Sequence, residues 1–172
     1  MADMTDDSLI GIRDRAILLL GFAGAFRRSE LVALQVEDID MEESGMAVMI
    51  RKSKTDQVGE GKPKPILRGE AHCPVAALQT WLREADIASG YVFRRIRKGG
   101  HVNSNNDSDK PDLSDRMVAS IVKRYADRVG LDSTLYSGHS LRRGFIISAL
   151  LAGASIVKTM EVSQHKDPKT TI

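Results

Sequence analysis

Gly138-His139-Ser140-Leu141-Arg142-Arg143-Gly144-Phe145 stands at the head of an apolar run that continues through Ile146, Ile147 and Leu150 to Gly153. That spacing predicts a helix with His139 and Arg142 just inside its first turn. Residues three apart share a helix face, so this imidazole and this guanidinium can address one object. A planar guanidinium beside a hydrogen-bonding imidazole suits a phosphate group better than most ligands. Arg143 points about 100° further round the helix and would meet a neighbouring phosphate at best. The same pair is also consistent with a structural histidine and with an ion pair from Arg142 to an acid such as Asp112 or Asp115.

Working outward, helical spacing recurs in Leu9 to Phe26 (Ile12, Ala16, Leu19, Leu20), and a second short helix is predicted from Ser29 to Leu34 with Ser29 as its cap. Met46 to Arg51 reads as a strand, Thr55 to Lys62 as a turn, and Pro63 to Arg68 as the returning strand. Pro74 opens an amphipathic helix through Val75, Leu78, Trp81 and Leu82. Tyr91-Val92-Phe93 reads as a third strand, and Lys98 to Pro111 as a loop. Ser114 caps a helix with Met117, Val118, Ile121, Val122 and Tyr125 on one face, and Ser155 opens a last short helix. The expected fold is therefore mainly α with a small three-stranded antiparallel sheet, in one domain with no internal repeat.

Bulk composition agrees with one domain and excludes several classes. The chain has 172 residues, and 42% of them are hydrophobic, enough to bury a core. Its formal net charge is only +2, but Asp3, Asp6 and Asp7 concentrate acid at the N-terminus and leave the rest more basic. Basic clusters recur at Arg51-Lys52-Ser53-Lys54 and Arg94-Arg95-Ile96-Arg97-Lys98. A single cysteine, Cys73, excludes an internal disulfide and fits a reducing compartment. There is no apolar run of membrane-spanning length and no basic-then-apolar leader, so a cytoplasmic, nucleoid-associated protein with no membrane partner is expected. His72 and His101 have no metal-ligand spacing with Cys73, and neither a Gly-rich phosphate loop nor a Ser-His-Asp context appears. No cofactor and no metal are expected.

Three further segments hold candidate chemistry. Arg27-Arg28-Ser29-Glu30-Leu31 places a guanidinium at a helix start, where it can grip a phosphate oxygen while Glu30 braces it. Lys54 lies where the first strand meets its turn, and an ammonium there can give a proton to a leaving alkoxide. His165, in Ser163-Gln164-His165-Lys166-Asp167-Pro168, is a lone histidine. Taken singly, Arg27 reads more simply as half of a surface Arg–Glu pair, Lys54 as a solvated edge residue and His165 as part of a surface loop.

Taken together they carry a resemblance. Arg27-x-Ser-Glu-Leu, Lys54 in Ser-Lys-Thr, His139-x-x-Arg142 and then His165, twenty-three residues on, are similar in order and spacing to the catalytic domain of the tyrosine recombinase or phage integrase family. The similarity runs from about Ile12 to the last residue. It implies a catalytic-domain fold of the DNA breaking–rejoining enzymes, occupying 1–172 as a single domain. It further implies that Arg27 and Arg142 clamp the non-bridging oxygens of a scissile phosphate. Lys54 would protonate the departing 5′-oxygen, His139 would act as acid or base, and His165 would donate a hydrogen bond to the phosphate. Glu30 would brace the site, and Arg28, Lys52, Arg143 and Lys166 would contact DNA. The partners implied are double-stranded DNA and, in a full-length protein, further protomers in a tetramer on DNA.

Two departures qualify what the resemblance implies. The family's nucleophile is a tyrosine nine residues beyond the last histidine, position 174 here, whereas this sequence closes at Ile172 and its tyrosines, Tyr91, Tyr125 and Tyr136, all precede His165. The expectation is a polypeptide that binds DNA without forming the 3′-phosphotyrosyl bond. The family's N-terminal core-binding domain and its C-terminal nucleophile segment are likewise not in this sequence, so weak, salt-dependent binding by a monomer is expected. Alternatives at this level are a non-catalytic DNA-binding regulator or decoy of the same fold, a type IB topoisomerase fragment, and a helical protein–protein adaptor.

Overall fold

The computed structural model describes residues 5–51, 62–103 and 113–164. Its first helix, α1 (Leu9–Ala23), starts where the Ser8 hydroxyl accepts from the Gly11 N–H at 3.2 Å. Ala16, Ile17 and Leu20 are wholly inaccessible, because this helix is covered on most sides. Helices α3 (Pro74–Glu84) and α5 (Ser140–Leu151) pack against it. It ends at Ala23 with Gly24 as its cap, within the Gly21–Gly24 stretch where the sequence places its end. Ala25 turns into the left-handed region (φ 47°), and the Phe26 N–H returns to the Gly21 carbonyl at 3.1 Å. This bend, and not a further turn of helix, delivers the chain to Arg27.

Helix α2 (Arg28–Ala33) is capped by Arg27 and not by Ser29. The Glu30 carboxylate accepts from the Arg27 backbone N–H at 2.9 Å, which fixes the helix start two residues earlier than a Ser29 cap would. After a 3₁₀ turn at Val36–Asp38 come β1 (Ile39–Met41), β2 (Gly45–Ile50) and β3 (Lys62–Leu67). They pair antiparallel in that order, with Ile39 opposite Val48, Val48 opposite Lys64 and Met46 opposite Ile66. The side-chain period of two turns Met46, Val48, Ile50, Lys64 and Ile66 inward. Pro63 and Pro65 alternate outward on the edge strand, where a missing N–H costs least.

The sheet is three-stranded as expected, but its third member is different. Tyr91 makes only an isolated bridge to Gln35, and Val92 and Phe93 are fully buried. The Val92 carbonyl accepts from the Trp81 indole N–H at 2.8 Å, which locks this segment beneath α3. The third strand is β1, whose three residues are too few to display an alternating pattern. Of the expected loop Lys98 to Pro111, the described part turns tightly, with Ile96 bridging Val102 and the Arg97 N–H donating to the His101 carbonyl at 2.8 Å; 104–111 lie outside the described residues.

Helix α4 (Asp115–Arg128) has the expected Ser114 cap and packs against α2. Asp14 on α1, with no accessible surface, receives Arg13 at 2.8 Å and Arg124 of α4 at 3.1 Å. The Arg124 pair ties the first helix to the fourth. The final helix, α6 (Ile156–Ser163), is capped by Ser155 and packs on α5. Among the described residues no helix is long and apolar enough to cross a membrane.

Candidate active site

The site is assembled from the α1–α2 bend, the start of α5 and the inner face of β3. Arg27 and Glu30 lie a turn apart, and the Arg27 Nη1 donates to Glu30 Oε1 at 2.6 Å. One carboxylate thus holds both the backbone and the guanidinium of the same arginine. The Glu30 side chain is only 2% exposed and that of Arg27 is 19%, so the carboxylate is sealed beneath while the guanidinium keeps a solvent-facing edge.

Arg142 reaches the same place from α5. Its Nη1 donates to the carbonyl of Ala25 at 2.9 Å, two residues before Arg27. Ala25 occupies a strained left-handed conformation, and its carbonyl is thereby presented to the guanidinium. Gly21 permits the approach: a Cβ there would stand 2.7 Å from a Leu141 methyl of α5. Burial, together with the neighbouring Arg27 guanidinium, lowers the Arg142 pKa to about 10, and Glu30 pulls it back up. It remains a cation at neutral pH. The acid that faces Arg142 is therefore Glu30. Asp115 is engaged elsewhere, with Arg28 at 3.1 Å, and Asp112 lies outside the described residues.

The other sequence candidates are distributed as follows. His139 is the N-cap of α5 (φ −88°, ψ −11°) and not a residue within its first turn, and it is exposed one turn before Arg142. Arg28 spends its charge on Asp115, and its stem lies against Gly138, where a Cβ would come within 2.6 Å of Arg28 Cδ. Arg143 is exposed on the next face of α5. Lys52, Lys54, His165 and Lys166 lie outside the described residues. The structure thus brings Arg27, Glu30 and Arg142 together and leaves His139 exposed at the N-terminus of α5.

It also supplies a cation that the sequence reading missed. Lys64 of β3 is 2% exposed, with Nζ 5.0 Å from the centroid of the Phe26 ring. Burial pushes its pKa down to about 8; Glu30 opposes the shift, while Arg142 and Arg27 add to it. Three cations therefore share one carboxylate. The excess positive charge is fixed in a low-dielectric setting, where an anion is the natural complement. Strand alternation puts Lys64 on the same face as Ile66 but puts Lys62 there too, so the sequence alone does not single it out.

Comparison with known proteins gives the same architecture a context. A mainly helical domain with a three-stranded antiparallel sheet is the fold of tyrosine recombinase catalytic domains. The XerH site-specific recombinase bound to difH substrate in a pre-cleavage complex superposes with a TM-score of 0.70 at 18% identity, over 98% of this chain and 44% of that one. The XerA recombinase gives 0.68 at 20% identity, over 93% and 50%. The chain belongs to the phage integrase family, whose model matches residues 1–172. An integrase/recombinase XerD homologue of Selenomonas ruminantium is 42% identical over 172 residues, which is 98% of this chain and 49% of the relative. The tyrosine recombinase XerC of Pelotomaculum thermopropionicum is 29% identical over 91% of this chain and 47% of its own length. The chain spans about half the length of the curated relatives it matches.

Proposed function

We propose that residues 1–172 form the catalytic domain of a site-specific DNA recombinase that breaks and rejoins double-stranded DNA through a 3′-phosphotyrosyl intermediate. The observation that carries this reading is the convergence of Arg27 and Arg142, from distant parts of the chain, around the buried Glu30. Fixed guanidinium groups of this kind stabilise charge that grows on non-bridging phosphate oxygens as phosphorus becomes five-coordinate. In the full reaction a tyrosine oxygen attacks phosphorus, the bond to the 5′-oxygen breaks, and Lys54 protonates that oxygen. His139 handles the nucleophile's proton, and His165 donates a hydrogen bond to the phosphate. Glu30 aims Arg27 without touching DNA, while Arg28, Lys52, Arg143 and Lys166 lie along the DNA backbone. The full-length protein acts as a tetramer on DNA inside the cell.

The tyrosines in these residues suit a structural role. Tyr125 is 1% exposed and Tyr91 is 8% exposed, and Tyr136 packs against the core. None of the three is placed to act as the nucleophile, so the polypeptide of these 172 residues should bind DNA without a covalent adduct, and a suicide duplex that trapped one would refute this. The test of the site itself is Arg142→Ala on a DNA duplex. The expected loss is about tenfold in affinity or more, the equivalent of one charge-assisted hydrogen bond. The slope of log affinity against log salt should also become shallower by about 1. Unchanged affinity and slope would remove the basis of the assignment.

A further inference from the structure

Lys64 occupies a position that strand alternation reserves for an apolar side chain. It stands opposite Val48, two residues from the buried Ile66, on the face of the sheet that covers the core. A lysine there must find acceptors for its ammonium or lose its proton. Lys64 Nζ donates to the carbonyl of Gly24 at 2.8 Å and to the carbonyl of Val162 at 3.1 Å. The first acceptor belongs to the bend that carries Arg27 and receives Arg142. The second belongs to the last turn of α6, three residues before His165 in the sequence. The two acceptors are 138 positions apart along the chain, and this one ammonium joins them.

We propose that Lys64 is a positioning residue of the phosphate site: its ammonium fastens the Gly24–Arg27 bend to the end of α6, so that the arginine pair and the segment leading to His165 are held in one register. The inference rests on the phosphate-site reading of Arg27 and Arg142 given above. Its geometry favours a strap over a direct contact, because both hydrogen bonds go to backbone carbonyls and the ammonium is covered by Phe26. The charged groups facing Lys64 are Glu30 and Arg27 at the start of α2 and Arg142 on α5; from α6 it meets a backbone carbonyl. An anion held between Arg27 and Arg142 offsets their repulsion on Lys64 and tightens the strap. Alkaline pH withdraws its proton and slackens it.

The test uses the 172-residue chain, a short random-sequence DNA duplex, and the variants Lys64→Met, Lys64→Arg and Arg142→Ala. Lys64→Met, if folded by circular dichroism, is expected to lose about tenfold in affinity, comparable to one charge-assisted hydrogen bond. Amide exchange over Met160–Ser163 should quicken in the same variant. The parent's affinity should fall as pH rises through about 8, the Lys64→Met profile should be flatter, and Lys64→Arg should recover much of the loss. A folded Lys64→Met with parental affinity, pH profile and α6 exchange overturns the strap, provided Arg142→Ala still loses affinity. Parental affinity in Arg142→Ala strikes instead at the phosphate-site reading, and the strap falls with it. Should Lys64→Met not fold, the parent decides: duplex binding near pH 8 must take up protons, measured as a dependence of binding heat on buffer ionisation, and no uptake overturns the proposal.

Discussion

Replacing Glu30 by Gln removes the single negative charge that the three clustered cations share, while keeping shape and volume. The carboxylate is 2% exposed and accepts two hydrogen bonds, from the Arg27 N–H at 2.9 Å and from its guanidinium at 2.6 Å. Glutamine keeps one acceptor oxygen, so one of the two bonds and the whole charge are lost. Removing one partner of a buried ion pair costs about 3–5 kcal/mol, and the partly exposed Arg27 places this case near the lower figure. For a chain of this size each kcal/mol moves the melting temperature by about 2–4 °C, so a fall of about 10 °C at neutral pH is expected. The destabilisation should have a distinctive remedy. A phosphodiester between Arg27 and Arg142 supplies the missing negative charge, so a saturating DNA duplex should raise the variant's melting temperature more than the parent's. Thermal melts of both proteins with and without duplex are the assay. A variant melting within about 2 °C of the parent, a shift worth less than 1 kcal/mol, would refute the claim that Glu30 neutralises the cluster. Equal rises on adding DNA would refute the claim that the cluster receives phosphate.

The cost of burying Lys64 should be visible in the stability of the free domain. Its pKa falls from 10.5 to about 8 on folding, so between those values the unfolded chain binds the extra proton and stability rises with pH, by up to about 3 kcal/mol. Urea melts from pH 7 to 10 should show that rise in the parent and lose it in Lys64→Met; parallel profiles would disprove it. Asp14, inaccessible and paired with both Arg13 and Arg124, should cost about 3 kcal/mol when replaced by Ala, with Arg124→Ala costing less because that side chain is 42% exposed. Chemical denaturation of the two variants checks the order, and the reverse ranking would place the stabilising contact elsewhere.

How much of this was legible in the sequence depends on the range of the interaction involved. Arg27 with Glu30, and His139 with Arg142, are pairs three residues apart, and helix geometry alone relates their side chains. Ser29 is not the cap for a reason on the same local scale: the longer Glu30 side chain reaches back to the Arg27 N–H, so the cap lies two residues sooner. The third strand failed because three residues, Ile39 to Met41, carry too little alternation to be seen. Tyr91-Val92-Phe93 shows β-type composition, but only because it is core, held by Trp81.

Lys64 marks the limit more sharply. Lys-Pro-Lys-Pro is locally the profile of a polar edge strand, and nothing nearby in sequence distinguishes Lys64 from Lys62. Only the pairing of Val48 with Lys64 turns it inward, and only the packing of the α1–α2 bend and of α6 explains how a buried ammonium is tolerated there. A residue whose partners are two backbone carbonyls leaves no motif, because any sequence offers carbonyls. The candidate side chains Arg27, Glu30 and Arg142 are readable because an anion site demands particular groups at fixed spacing. The device that registers them is hidden because it demands only a donor in the right place. It follows that substitutions at Lys64 should be judged by donor geometry and not by charge alone. A shorter donor that cannot span from Gly24 to Val162 should behave like Met, even where it keeps a polar group in the core.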